Sequence, residues 1–239
     1  MSLVIAPAPA KAAAYAVTHW HYSGTMPVGR CVILGAWEDE QFIGVVVLSR
    51  GSSNHLGSPY GLTQTAVCEL TRVALREHTA PVSQIVAQCL RHLKRGSPGL
   101  RLVVSFADPG QGHRGGIYQA GNWVYTGVAD PARFFRLHGK EIHERNLSGD
   151  FNIFDPAEAR TKMPRNVEWL RKHVDPAAQV IMKQGKHRYL YPLDRAMRRQ
   201  IQPLARPYPA AEVSTATHPA PGEEGQVRPL QAAPEQAAV

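Results

Sequence analysis

Between residues 105 and 127 the chain reads Ser-Phe-Ala-Asp-Pro-Gly-Gln-Gly-His-Arg-Gly-Gly-Ile-Tyr-Gln-Ala-Gly-Asn-Trp-Val-Tyr-Thr-Gly, its densest concentration of chemically useful side chains. An apolar run that ends in Ser105 and Asp108 and opens into a glycine-rich loop brings small polar groups to a place where a ligand can approach the backbone closely. Tyr118, Trp123 and Tyr125 follow within eight residues. Aromatic faces beside hydroxyl and carboxylate groups suit a pocket for a planar base, which an enzyme acting on duplex DNA must extrude from the stack. Trp123 and Tyr125 equally suit the packing of a sheet, and Asp108 before Pro109 equally suits a cap or an Asx turn.

A second cluster, His19-Trp20-His21-Tyr22-Ser23-Gly24, sets three acid–base groups and an indole within four positions. His21 and Tyr22 are catalytic candidates, and Trp20 is a candidate for the wall of a base pocket. His19 and His21 share one face of an extended segment, but two ligands at that spacing specify no metal without a third. Cys31, Cys68 and Cys89 are too scattered for a disulfide framework or a metal site, so a reducing cytoplasm is expected. Met1 to Pro7 lacks the basic start of a secretory signal, and no apolar run approaches the ~20 residues that cross a bilayer. A membrane partner is not expected.

The elements that would position these groups are legible from periodicity. Cys31 to Trp37 and Phe42 to Ser49 are β-rich runs separated by Glu38-Asp39-Glu40-Gln41, which predicts an antiparallel hairpin. Residues 51 to 66 form a Gly/Ser-rich loop, and Val67 to Leu75 reads as a third strand. Val82, Ile85, Val86, Cys89, Leu90 and Leu93 fall on one stripe of an amphipathic helix, ended by Ser97-Pro98-Gly99. Leu100 to Ala107 is a buried strand, a short helix lies near Gly116 to Ala120, and Asn122 to Thr126 resumes as a strand. A helical crossover places strands 67–75 and 100–107 parallel and close. The class is α+β with a mixed sheet flanked by helices.

This element order resembles the GNAT-type acyltransferase superfamily, in which a helix start faces the pyrophosphate of an acyl-CoA. Free N–H groups and the macrodipole favour an anion there in any protein. The equivalent loop is Arg76-Glu77-His78-Thr79-Ala80-Pro81-Val82-Ser83, which lacks the superfamily's glycines and carries a proline with no N–H. In this reading Arg72, Val73, Leu75, Arg76, Thr79, Val82 and Ser83 are the cofactor-binding candidates. Arg72 needs a carboxylate or phosphate partner if it points inward, and Glu69 or the cofactor supplies one.

The formal charge is +8, and it is not spread evenly. Residues 133 to 206 hold sixteen Lys and Arg against eight Asp and Glu, while the remainder carries eleven of each. Such a basic segment beside a neutral core suggests a grip on nucleic acid, because lysine and arginine release counterions from phosphates. Lys183, Lys186, Arg188, Arg195, Arg198 and Arg199 are the DNA-binding candidates. The alternative is an ordinary solubilising surface. Residues 207 to 239, with six prolines and eight alanines, are expected to be a disordered tail, and residues 1 to 10 to be frayed, leaving one domain over 11–206.

Taken in order, His21-Tyr-Ser-Gly24, Glu69-Leu-Thr-Arg72, Ser105-Phe-Ala-Asp108, Gln111-Gly-His113 and Ile117-Tyr-Gln-Ala120 with Trp123 and Tyr125 resemble the phage-type Mom DNA-modification family. His143-Glu-Arg145 and His187-Arg-Tyr-Leu-Tyr-Pro192 continue the similarity, which spans roughly residues 12 to 208. The resemblance implies a GNAT-like fold that converts adenine in double-stranded DNA to N6-carbamoylmethyladenine, with acetyl-CoA as donor, protecting phage DNA from host restriction. It further implies work in the cytoplasm of a bacterial host.

The adenine N6 amine is a poor nucleophile, so it must be positioned, relieved of a proton and stabilised as charge develops. Asp108 is expected to accept or orient the N6 proton, Tyr118 to protonate or orient the donor, and Ser105 to hold one of them. Tyr22 and Trp123 would flank the base. Simple acyl transfer gives an N6-acetyl group, whereas the carbamoylmethyl product joins nitrogen to the methyl carbon and carries an amide. A redox-active metal held by His21 with Asp108 or another histidine is one way to open that route. Two further readings use the same residues: an ordinary N-acetyltransferase for a small-molecule or protein amine, and a non-catalytic basic DNA-binding protein.

Overall fold

The computed structural model describes residues 2–51, 53–144, 147 and 166–209. Strand β1 (Leu3–Pro7) and helix α1 (Ala10–Trp20) precede the hairpin strands β2 (Cys31–Glu38) and β3 (Gln41–Ser49). Then come β4 (Val67–Leu75), α2 (Val82–Gly96), β5 (Leu102–Ala107), α3 (Gly116–Ala120) and β6 (Val124–Val128). The chain continues through β7 (Ala132–Leu137), β8 (Lys140–His143), α4 (Val167–His173), β9 (Gln179–Lys183), β10 (His187–Pro192) and α5 (Arg195–Ile201). No described helix is long and apolar enough to cross a membrane.

Seven strands form one sheet in the order β1-β2-β3-β4-β5-β10-β6, antiparallel except where β4 and β5 run parallel. The β2–β3 hairpin closes through Asp39 and Glu40, both with positive φ, the two-residue geometry that matches strand twist. The crossover from β4 through α2 to β5 follows from the helix stripe: Ile85, Val86, Cys89, Leu90 and Leu93 are all buried against the sheet. Full burial of such a side chain contributes roughly 1.5–3 kcal/mol, so the packed stripe rather than helix propensity holds α2 in place.

Alternation along β3 and β4 sends Val46 and Val73 to the α2 face and Val45, Val47 and Ala74 to the opposite one. There α1 packs through Ala13, Ala16 and Val17. Further along that face α5 packs through Met197 and Ile201 onto Leu102, Val104, Val124 and Leu190. Asp194 starts α5 by accepting from the Met197 N–H at 2.7 Å while also pairing with Arg101 at 2.8 Å. A second sheet, in the order β8-β7-β9, folds over its own small core of Phe135, Leu137, Leu147, Leu170 and Ala178.

Several expectations need correction. Within the stretch 1–10, expected to be frayed, Leu3 to Pro7 form a strand: β1 pairs with β2 from Leu3↔Glu38 to Pro7↔Leu34, and Ile5 is buried, because β2 would otherwise leave an open ladder. The alanine-rich stretch that follows is a helix, as the high propensity of alanine favours. The basic segment is not an extension appended to a finished core. Its β10 lies between β5 and β6, and Tyr189, Leu190 and Leu193 are core residues. Tyr208 is likewise tied down, its hydroxyl donating to the Trp123 carbonyl at 2.6 Å. Arg145, residues 148–165 and the expected tail from 210 to 239 lie outside the described residues.

Candidate functional site

The β4–β5 ladder runs from Val67↔Leu102 to Leu70↔Ser105 and stops there. Beyond it β4 continues beside β3 and β5 continues beside β10, so the two parallel strands part. A cleft of about 620 Å³ opens in the gap. Its walls are Leu70, Val73 and Leu75 of β4, Val82 of α2, Asp108 and the loop from Gly112 to Gly116, Tyr118 of α3, and Trp20, His21 and Tyr22 at the end of α1. The two motif clusters, some ninety residues apart in sequence, therefore face one cavity.

Tyr22 is 57% exposed, and its ring stacks on His21 at 4.4 Å and tilts against His113 at 5.7 Å. Behind them Tyr118 is 7% exposed, and burial pushes its phenol up to about 12. Its hydroxyl lies 2.7 Å from Ser105 Oγ, which lies 2.9 Å from the Leu70 carbonyl. A carbonyl only accepts and the serine has one proton. When that proton goes to Leu70, the tyrosine donates to the serine, and the Tyr118 oxygen keeps its lone pairs free.

His21 is neutral at pH 7, its pKa lowered to about 4 by burial first and then by the charges of Arg72 and His113. The Ser23 backbone N–H donates to His21 Nδ1 at 3.1 Å, so the ring proton sits on Nε2. His21 is thus a hydrogen-bond donor at Nε2 and a weak base. Asp108 combines the cap and the charged roles: its carboxylate accepts from the Gly110 N–H at 3.0 Å and pairs with Lys186 at 2.8 Å. Burial acts to raise its pKa, but Lys186 and the Gly110 N–H outweigh it and hold the group below the usual carboxylate range.

The glycine loop is shaped from β10. The Tyr189 hydroxyl donates to the Arg114 carbonyl and accepts from the Gln119 amide at 3.2 Å. Gly115 has φ +80, and a Cβ there would lie 2.3 Å from the Tyr189 ring, so glycine is required on two counts.

The remaining site candidates are not brought to this cavity. Trp123 is 1% exposed and packs between Tyr118 and Tyr191, and Tyr125 is buried against Tyr189 with its hydroxyl on His187. Their rings are core, so a base in the cleft meets Tyr22 and not Trp123. Ser105 reaches the cleft only through Tyr118. Arg72 needs no acidic partner, because it donates to the Thr25 carbonyl at 3.0 Å and to the Thr71 carbonyl at 2.8 Å. Arg76 donates to Gln41. Of the cofactor candidates only Val73, Leu75 and Val82 line the cleft, and Ser83 does not. Among the described residues no three His, Cys, Asp or Glu side chains converge as metal ligands.

Among the candidates for DNA contact, Lys186 pairs with Asp108, Lys183 with Glu141, and Arg188 donates to Thr126. Arg195, Arg198 and Arg199 stand exposed on α5. Three residues matter beyond the sequence-derived set: His113, Tyr189, and Glu38, whose carboxylate accepts from the backbone N–H groups of Thr79 at 2.8 Å and Ala80 at 2.7 Å. His113 and Tyr189 stand inside the motifs quoted above. Glu38 gives no local signal, because its partners are forty residues away.

A protein-family model described as the Mom protein family matches residues 2–210 of this chain. No curated protein matches it.

Proposed function

The chain belongs to the Mom protein family, and from that premise we propose that it is a phage DNA-modifying enzyme acting on the N6 amine of adenine in double-stranded DNA. The proposed product is N6-carbamoylmethyladenine, which would shield phage DNA from restriction in the host cytoplasm. One observation carries this reading: a half-exposed stack of Tyr22, His21 and His113 at the mouth of a cleft whose floor is the buried Tyr118–Ser105 pair. A flipped base needs an aromatic face to lie on and polar groups beneath it.

The proposed cofactor is acetyl-CoA, held as in a GNAT-like transferase. The fit rests on two features of this chain. Leu70, Val73, Leu75 and Val82 give an apolar trough where the parallel ladder has ended, suited to the pantetheine arm. The N–H groups of Thr79 and Ala80 already hold an anion, the Glu38 carboxylate, which is the interaction a pyrophosphate would use. When bound, acetyl-CoA would supply the two-carbon unit.

In this reading Tyr22 stacks on the adenine and His21, neutral with its proton on Nε2, donates to a ring nitrogen. Asp108 stays ionised beside Lys186 and accepts a hydrogen bond from the N6 amine, orienting it rather than keeping its proton. Tyr118 remains a phenol at neutral pH, and when Ser105 gives its proton to the phenol oxygen instead of to the Leu70 carbonyl, the phenol proton is free to face the cleft and orient the donor.

The test is to express the chain with a plasmid in a bacterial host, digest the DNA to nucleosides and weigh the adenine. Carbamoylmethyladenine that disappears with Tyr118→Phe supports the reading. Unmodified adenine from folded protein, together with acetylation of an added amine, favours the plain N-acetyltransferase, which the same parted strands would serve. DNA that binds but is never changed favours a binding protein.

A further inference from the structure

The described chain ends by doubling back along the outer edge of β6. The Arg206 N–H donates to the Tyr125 carbonyl at 2.8 Å, and the Tyr208 hydroxyl donates to the Trp123 carbonyl at 2.6 Å. β6 is the last strand of its sheet, so these bonds occupy an edge that would otherwise be open. Between this returning segment, β6 and α5 lies a second cavity of about 590 Å³, separate from the cleft.

Its polar lining is Arg198, Arg206, Gln202 and Asn122, with Tyr208 as the exposed aromatic and no acidic residue. Among the described residues neither arginine is paired with a carboxylate. The Arg206 guanidinium lies over Gly127, where φ is +94 and a Cβ would come within 2.9 Å of Nη1. Glycine there leaves room for the guanidinium against the strand.

Two guanidinium groups with no carboxylate partner among the described residues, amide side chains and a half-exposed aromatic ring match a phosphate ester with a base attached. We propose that this cavity is a second nucleic-acid contact, in which Arg198 and Arg206 hold a phosphodiester of the DNA strand and Tyr208 stacks a base near the target. The inference rests on the reading of DNA as substrate and adds where the strand runs. Tyr189 touches both sites, with ring centroids 5.0 Å from Tyr118 and 6.4 Å from Tyr208. Tyr189 itself is fully buried and lies between them.

The experiment measures binding of a fluorescent duplex to the full chain by anisotropy across a KCl series. The Arg198→Gln/Arg206→Gln double variant is expected to weaken binding at least several-fold and to flatten the slope of log K against log salt by ~0.9, the value for one phosphate contact. Tyr208→Leu should weaken binding and leave the slope unchanged. Arg91→Gln/Arg95→Gln on the exposed side of α2 should leave both near the wild-type values. Wild-type binding with an unaltered slope in the first variant, or an equal loss in the α2 variant, overturns the inference and leaves the DNA reading intact. Competition by free dAMP at an affinity close to that of the duplex makes the cavity a small-nucleotide site and also overturns it. A wild-type chain that binds no DNA removes the functional reading and this inference together.

Discussion

The Tyr118 hydroxyl sits 2.7 Å from Ser105 Oγ, and the serine in turn reaches the Leu70 carbonyl at the last rung of the parallel β4–β5 ladder. The single serine proton is thereby shared between the phenol oxygen and a carbonyl at the point where the sheet splits. Ser105→Ala leaves a buried phenol without its partner, which costs roughly 1–3 kcal/mol, whereas Tyr118→Phe removes the polar group itself and should cost about 1 kcal/mol or less. Both variants should lose DNA modification. Thermal melts paired with nucleoside mass spectrometry check this, and full activity in Tyr118→Phe would exclude the phenol as donor.

His21 ties stability to pH. Its folded pKa of about 4 lies below the ordinary histidine value of 6.5, so protonation favours the unfolded chain. The stabilisation is fully present above ~6.5 and is lost as the pH falls from there towards 4. Chemical denaturation at a series of pH values should show this loss, and His21→Gln should reduce it. A nitrogen-detected NMR titration should find the Nε2–H form unchanged between pH 6 and 8, and an inflection near 6.5 assigned to His21 would contradict the burial argument.

The Glu38 carboxylate sits where the cofactor reading wants a pyrophosphate. Its pKa is lowered chiefly by the Thr79 N–H, with Ala80 and His78 adding to the effect against a raising contribution from burial. The group is therefore ionised throughout the neutral range, and an incoming anion must displace it. Glu38→Ala should tighten acetyl-CoA binding several-fold by calorimetry, and Glu38→Gln should do so less, since the amide oxygen still accepts. Weaker binding in Glu38→Ala would mean that the carboxylate only orders the loop.

How much of this was legible in the sequence depends on the range of each interaction. Local periodicity was sufficient for the hairpin and for α2, each decided by neighbours a few residues apart, and the helical crossover then required β4 and β5 to be parallel. The insertion of β10 between β5 and β6 left no such trace, since its short run His187–Pro192 sits among basic residues that read as surface. The same non-locality separates Trp123 from Tyr22. Both are aromatics near polar loops, yet one is sealed in the core by Tyr191 from β10 and the other stands at the cleft mouth. Glu38 was readable as a hairpin residue and not as a cap for a loop forty residues on.

Gly115 gives the most direct test that β10 sets the cleft. An alanine there takes a left-handed conformation, costing roughly 1–2 kcal/mol, and drives its methyl into the Tyr189 ring, where overpacking costs roughly 1–3 kcal/mol. For a domain of this size the melting temperature should fall by about 2–4 °C per kcal/mol. Because the Tyr189 hydroxyl is bonded to the Arg114 carbonyl, the ring cannot move away without releasing the loop that carries His113. Modification should therefore fall much further in Gly115→Ala than in Gly96→Ala, whose Cβ meets nothing within 4 Å. Equal activity in the two variants, measured on nucleosides at a temperature where both are folded, would show that the loop tolerates displacement and that Tyr189 is only a core residue.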